Sequence, residues 1–104
     1  AAKAGVMSMT QTLAVEWGPL GVRMNSIIPG PIADTEGMAR LAPTPEAMAK
    51  SSKSTPMQRL GTKDEVADLA LFLCSDAAAY ITGAIIPCDG GLCLQGAGRV
   101  GADR

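Results

Sequence analysis

Residues 25–37, NSIIPGPIADTEG, constrain the fold more than any other stretch of this 104-residue chain. The preceding run, residues 22–28, is rich in branched apolar side chains, and it meets Pro29, which has no N–H to give a sheet ladder. A strand of about six or seven residues is expected to close there. Pro29-Gly30-Pro31 then fixes the exit: the prolines hold φ, and the glycine lets the backbone approach whatever lies against it.

The flanking segments set a rhythm around this strand. Residues 1–17 carry Val6, Met9, Leu13 and Trp17 three or four apart, with Gly18-Pro19 as a stop, which predicts a helix with an apolar stripe. The helix is already under way at residue 1 with no N-cap before it, so preceding sequence is expected. Residues 35–54 mix helix formers with Pro43 and Pro45 and predict two short helices with mobile joints. Thr62-Lys63-Asp64-Glu65 reads as a capping box ahead of Val66, Leu69 and Leu73, so a second long helix should run to about Ser75-Asp76. Thr82-Gly83 then turns the chain into a short strand at residues 84–88, stopped by Asp89-Gly90-Gly91. Helix, strand, helix, strand predicts an α/β fold with a parallel sheet and covering helices.

Composition narrows the partners. A 47% hydrophobic fraction is enough for a core, and a net charge of −1 with no basic run removes the electrostatic footprint of a nucleic-acid binder. No apolar run approaches the roughly 20 residues that span a bilayer, and no signal-peptide pattern opens the chain, so a soluble cytoplasmic protein with neither nucleic acid nor membrane as partner is expected. Cys74, Cys88 and Cys93 form no CxxC pair and there is no histidine, so no metal site is expected, and the thiols read as reduced and packed. The missing histidine also excludes a Ser-His or Cys-His relay built from these residues, leaving Lys, Asp, Glu, Tyr or water for proton transfer. The six methionines read as core or pocket lining. Gly96, Gly98 and Gly101 spell GxGxxG, but only three residues follow, so no helix N-terminus can receive a pyrophosphate; residues 96–104 are expected to be a flexible glycine-rich tail.

AAKAGV opening a helix, RMNSIIPGPI on a strand and turn, and ITGAIIPCDGG near the end stand in the order and spacing of a short-chain dehydrogenase/reductase. The resemblance covers about residues 1–95 and implies the C-terminal portion of a Rossmann-like, doubly wound parallel sheet forming part of a single domain. The nucleotide-binding glycine loop of that family lies outside these residues, as does its catalytic tyrosine. EWGPLGVRMNSIIPGPIADTEGMARL and RLGTKDEVADLALFLCSD are most similar to the 2,4-dienoyl-CoA reductases.

That resemblance implies an enzyme that uses NADP, or NAD, to reduce a 2,4-dienoyl-CoA of the fatty-acid β-oxidation type, working as a homodimer or homotetramer. The alternatives are a relative acting on 3-oxoacyl thioesters or alcohols, and a non-catalytic piece that only assembles with the rest of its fold; the chain alone is expected to be inactive. By the same resemblance Lys3 is the catalytic lysine and contacts the cofactor, and Pro29, Gly30, Pro31, Ile32 and Thr35 form the loop over the nicotinamide, the Ile32 backbone meeting the carboxamide. Arg40 falls where the dienoyl-CoA reductases meet the acyl-CoA substrate. Read from the residues alone, Lys3 is a solvated lysine on a first helical turn, and Arg40 a solvated helix arginine. Arg23 and Asn25 read as packing and hydrogen-bonding residues of the strand, and Ala4, Gly5 and Ser8 as small positions where a second helix could come close.

Overall fold

The computed structural model describes the backbone of residues 2–97 and the side chains of residues 4–95. The chain divides into two compact units, one of Ala1–Ile28 with Val66–Ile86 and the other of Pro29–Glu65 with Pro87–Arg104. Helix α1 (Ala2–Trp17), strand β1 (Ser26–Pro29), helices α2 (Glu36–Leu41), α3 (Pro45–Ser52) and α4 (Lys63–Cys74), and strand β2 (Ile85–Cys88) follow in order. The two strands pair in one sheet. Ser26 N–H bonds to Ala84 O and Gly30 N–H to Cys88 O, so both numbers advance together and the strands are parallel.

In the first unit, α1 buries only part of the stripe its spacing predicts, with Leu13 and Trp17 half-buried. Thr10 and Ala14 are the buried positions, at 3% and 6% exposure, whereas Val6 and Met9 stand 48% and 57% exposed. Thr10 meets β1 at Ser26 and Ala14 lies against Gly83, so the buried face follows these close approaches, where small side chains fit. The Thr10 hydroxyl gives its single proton to Val6 O at 2.8 Å, so the Ser26 hydroxyl beside it is the donor in their mutual hydrogen bond.

The strand is also shorter than expected and starts later, at Ser26 rather than at residue 22. Side chains replace the ladder over the missing residues. Asn25 Nδ2 donates to Ile81 O at 3.1 Å and its Oδ1 accepts from Ala84 N–H at 3.0 Å, while Met24 N–H bonds to the Thr82 hydroxyl at 3.0 Å. Arg23 adds a 3.2 Å bond to Ile81 O. Asn25 thus does for the 81–84 segment what a backbone amide would do in a longer strand, which accords with the hydrogen-bonding role its sequence position implied. The α4 portion of this unit buries Leu73 and half-buries Val66 and Leu69, the face its periodicity predicts.

In the second unit, α2 and α3 each begin at a threonine cap: Thr35 accepts from Met38 N–H and Thr44 from Ala47 N–H, both at 3.1 Å. Pro45 occupies the first turn of α3, where its missing N–H costs nothing. Ile32, Met38, Ala42 and Thr55 are the buried residues of this unit. Met38 is the one methionine among the six in that buried set; Met9 and Met57 are exposed, as are Cys74 and Cys93, so neither the thiols nor the methionines are packed throughout as expected. Past β2, Leu92–Ala97 winds into a 3-10 helix where no periodicity pointed to one. The Asp89 carboxylate starts it, accepting from Gly91 N–H at 2.9 Å and Cys93 N–H at 3.0 Å. The remainder of the expected tail, 98–104, lies outside the described residues.

Asn25→Ala should lower the unfolding free energy of the complete protein by about 2 kcal/mol, because it deletes two bonds, leaves the half-buried Ala84 amide without a partner and leaves Ile81 O with Arg23 alone. Urea titration followed by circular dichroism measures this; an unmoved midpoint would remove Asn25 as the clamp.

Candidate functional site

The loop that leaves β1 is held peptide by peptide. A Cβ on Gly30 would lie 2.6 Å from the Asp89 Cβ, so the close approach this glycine permits is to the end of β2. One turn of chain later, Ile32 forms an isolated parallel bridge with Gly61. Gly61 N–H bonds to Pro31 O and Ala33 N–H bonds to Gly61 O, each at 2.9 Å. In a parallel bridge these flanking groups face the partner, while the central residue's own N–H and C=O face the other way. Ile32 O accepts the Thr35 hydroxyl proton at 3.0 Å. Ile32 N–H has no acceptor among the described residues, although the residue is buried. A donor that its own chain leaves unbonded can be given to a ligand, and here it belongs to a buried residue on a proline-stiffened loop.

Gly61 is itself clamped on both sides. Arg59 makes a two-pronged pair with Glu65, Nη1 to Oε1 and Nη2 to Oε2, both at 2.8 Å, and also reaches Leu60 O at 3.1 Å. Glu65 Oε1 accepts from Thr62 N–H at 3.0 Å, and Thr62 Oγ1 accepts from Glu65 N–H at 3.1 Å, completing the capping box read from the sequence. The Arg59 guanidinium first, then the Thr62 N–H, hold the Glu65 carboxyl down to about 2. Burial pushes the Asp89 carboxyl up, but the N–H groups of Cys93 and Gly91 outweigh it and leave it below the usual range.

The sequence-named residues divide accordingly. Gly30, Pro31, Ile32 and Thr35 stand together on this loop, with Pro29 ending β1 at its entrance. Arg40 is 79% exposed on α2 and paired with Glu36 at 2.6 Å, an exposed i,i+4 contact that costs little to break. Lys3 lies on the first turn of α1, and its side chain falls outside the described residues. Among the described residues there is no group of three His, Cys, Asp or Glu able to hold a metal, and no helix is long and apolar enough to cross a membrane. A cleft of about 530 Å³ in the first unit, lined by Arg23, Asn25, Leu73 and Cys74 among others, contains none of the named residues. Gly61 and Arg59 carried no site reading from the sequence. Their one signal was a glycine directly before the capping threonine, where the helix itself has no need of it.

Parallel strands joined through helices, with a stiff loop at the carboxyl end of the first strand presenting an open amide, define one edge of a Rossmann-type nucleotide-binding fold. The sequence model described as enoyl-(acyl carrier protein) reductase matches residues 1–93, and the chain belongs to the short-chain dehydrogenase/reductase family. It is 55% identical over 96 residues to a probable 2,4-dienoyl-CoA reductase of Bacillus subtilis, covering 91% of this chain and 38% of that protein. It is 48% identical over 93 residues to a peroxisomal 2,4-dienoyl-CoA reductase of Pongo abelii, covering 89% and 32%. Among solved structures, a putative 2-deoxy-D-gluconate 3-dehydrogenase of Agrobacterium tumefaciens with bound NADP superposes with a TM-score of 0.80 at 36% identity, over 90% of this chain and 38% of that one. The chain therefore spans about a third of the length of these relatives, and corresponds to the C-terminal part of the reductases.

Because the folded Glu65 pKa lies below its ordinary value of 4.5, the clamp is fully charged above that value and fails as pH falls towards 2. Carbon-detected NMR titration of the Glu65 carboxyl should give a midpoint near 2, returning towards 4.5 in Arg59→Ala. A midpoint at the ordinary value in the unaltered protein would show that the pair does not persist in solution.

Proposed function

We propose that the complete protein is an NADP(H)-dependent oxidoreductase that reduces a 2,4-dienoyl-CoA, and that residues 29–35 form its nicotinamide-facing loop. The observation that carries the cofactor half is the Ile32 N–H, which has no acceptor among the described residues and is a fixed donor of the kind a carboxamide oxygen requires. The substrate half is supported by the 55% and 48% identities to two dienoyl-CoA reductases. NADP rather than NAD is supported by the solved relative that holds NADP. A short-chain reductase with another substrate stays the second reading, since a sugar-acid dehydrogenase is also structurally close.

When bound, the cofactor supplies the hydride. The chain's own residues bind and orient. Pro29, Gly30 and Pro31 hold the loop in one shape before ligand arrives, so little ordering is left for the binding step. Ile32 N–H meets the carboxamide and sets which ring face is presented, while Thr35 holds Ile32 O and so keeps that peptide from turning. Lys3 contacts the ribose hydroxyls, and its ammonium lowers the energy of negative charge developing beside it and eases proton delivery. Arg40, released from Glu36, meets phosphate or carbonyl oxygens of the thioester. The exposed small positions Ala4, Gly5 and Ser8 on α1 support self-association of the protein as a dimer or tetramer through that helix.

Mixing the complete protein with a 2,4-dienoyl-CoA and NADPH should bleach the cofactor absorbance. Turnover of a ketone or alcohol in place of the dienoyl thioester would remove the substrate assignment. Lys3→Ala should lower kcat about a hundredfold, whereas Arg40→Ala should raise the acyl-CoA KM about tenfold with kcat little changed. Equal and negligible effects would return both to solvated surface positions. Ser8→Arg should reduce the mass in light scattering to that of a smaller assembly; an unaltered mass would exclude α1 as the interface.

A further inference from the structure

We infer that Gly61 is a positioning residue for the cofactor's nicotinamide end, acting through the peptide group that carries the Ile32 N–H. This rests on the cofactor reading above and adds the residue that sets the geometry. Pro31 C=O and Ile32 N–H belong to one planar peptide unit, so a bond to the oxygen fixes the direction of the N–H on the opposite side. Gly61 N–H makes that bond, at 2.9 Å. The same bond polarises the unit and strengthens its N–H as a donor. Gly61 O takes Ala33 N–H, also at 2.9 Å, so the next peptide cannot rotate independently.

Glycine is required at this point by space rather than by φ. A Cβ on Gly61 would lie 2.8 Å from Ile32 Cδ1, nearer than two carbons can pack, so any larger residue must displace the end of the buried Ile32 side chain. The chain on either side of Gly61 is restrained by one carboxylate. Glu65 holds the Arg59 guanidinium and the Thr62 N–H, and Arg59 holds Leu60 O, so residues 59 to 62 are tied to the first turn of α4. This is a chain of fixed groups running from a helix start to a ligand-facing amide.

Gly61→Ala in the complete protein tests the inference, with binding measured separately for NADPH and for 2′-phospho-ADP-ribose, which keeps the adenosine end and lacks the nicotinamide. The expected result is a Kd for NADPH raised tenfold or more and a Kd for the ring-less fragment within twofold of the original. Adding Ile32→Val, which removes the clashing Cδ1, should bring the NADPH Kd back to within threefold. Equal weakening of both ligands, or unaltered NADPH binding with only a lower Tm, overturns the inference. Should Gly61→Ala not fold, Arg59→Lys keeps the charge and loses the two-pronged grip. It should raise the NADPH Kd severalfold and leave the fragment's unmoved, and no selective loss there also overturns the inference. Failure of the unaltered protein to bind NADPH at all is a different signature and removes the cofactor reading itself.

Discussion

Two hydrogen bonds between Gly61 and the peptides flanking Ile32 organise the second unit. They convert the segment after β1 from a free loop into one held on a single side, and they decide which backbone groups remain to face outward. The neighbouring contacts extend the same scheme. Met57 N–H reaches Gly90 O at 3.2 Å and Thr55 is buried, so the 55–61 segment ties the exit of β2 as well as the exit of β1. One connecting segment thereby fixes both strand ends of this unit, which is where ligands bind in open α/β sheets. The protein uses backbone bonds for this rather than a hydrophobic plug, consistent with the few fully buried side chains the unit has.

Electrostatics enters as support and not as the primary tie. The Arg59–Glu65 pair is nearly half exposed, at 47% and 43%, and a pair so placed contributes little by attraction alone. Its effect comes from geometry. A bidentate carboxylate that also caps α4 cannot move without breaking several bonds together, so the loop inherits the rigidity of the helix. The Arg40–Glu36 pair is the contrast: one bond, both partners about 80% exposed, and nothing further attached to it. A single exposed contact of that kind leaves Arg40 free to exchange partners.

How much of this was legible in the sequence follows the range of each interaction. Thr62 and Glu65 announced the start of α4 because a cap is settled within four residues, and Asp89-Gly90-Gly91 announced the end of β2 for the same reason. The parallel strand pair followed from the order of elements. The buried face of α1 followed only in part, because apolar spacing marks where hydrophobic residues lie, while Thr10 and Ala14 are the small residues that meet Ser26 and Gly83. The start of β1 was missed because a strand-like composition at residues 22–25 could not reveal that Asn25 would pair with Ile81 and Ala84 through its side chain. The loop at residues 29–35 was recognised through its resemblance to a family, and its rigidity through its prolines. Gly61, about thirty residues away, carried no such mark, since its role exists only once the bridge to Ile32 has formed.

In the proposed site the ligand meets the Ile32 main chain, and the isoleucine side chain has a separate task. A main-chain N–H is supplied by any residue but proline, so on that reading the identity of residue 32 is set on its other side. There an isoleucine is buried, with Cδ1 filling the space beside Gly61. A branched apolar residue next to a rigid turn is therefore informative here as the anchor of an amide whose direction must not drift, and substitutions that keep its volume should matter less than those that disturb the glycine against which it rests.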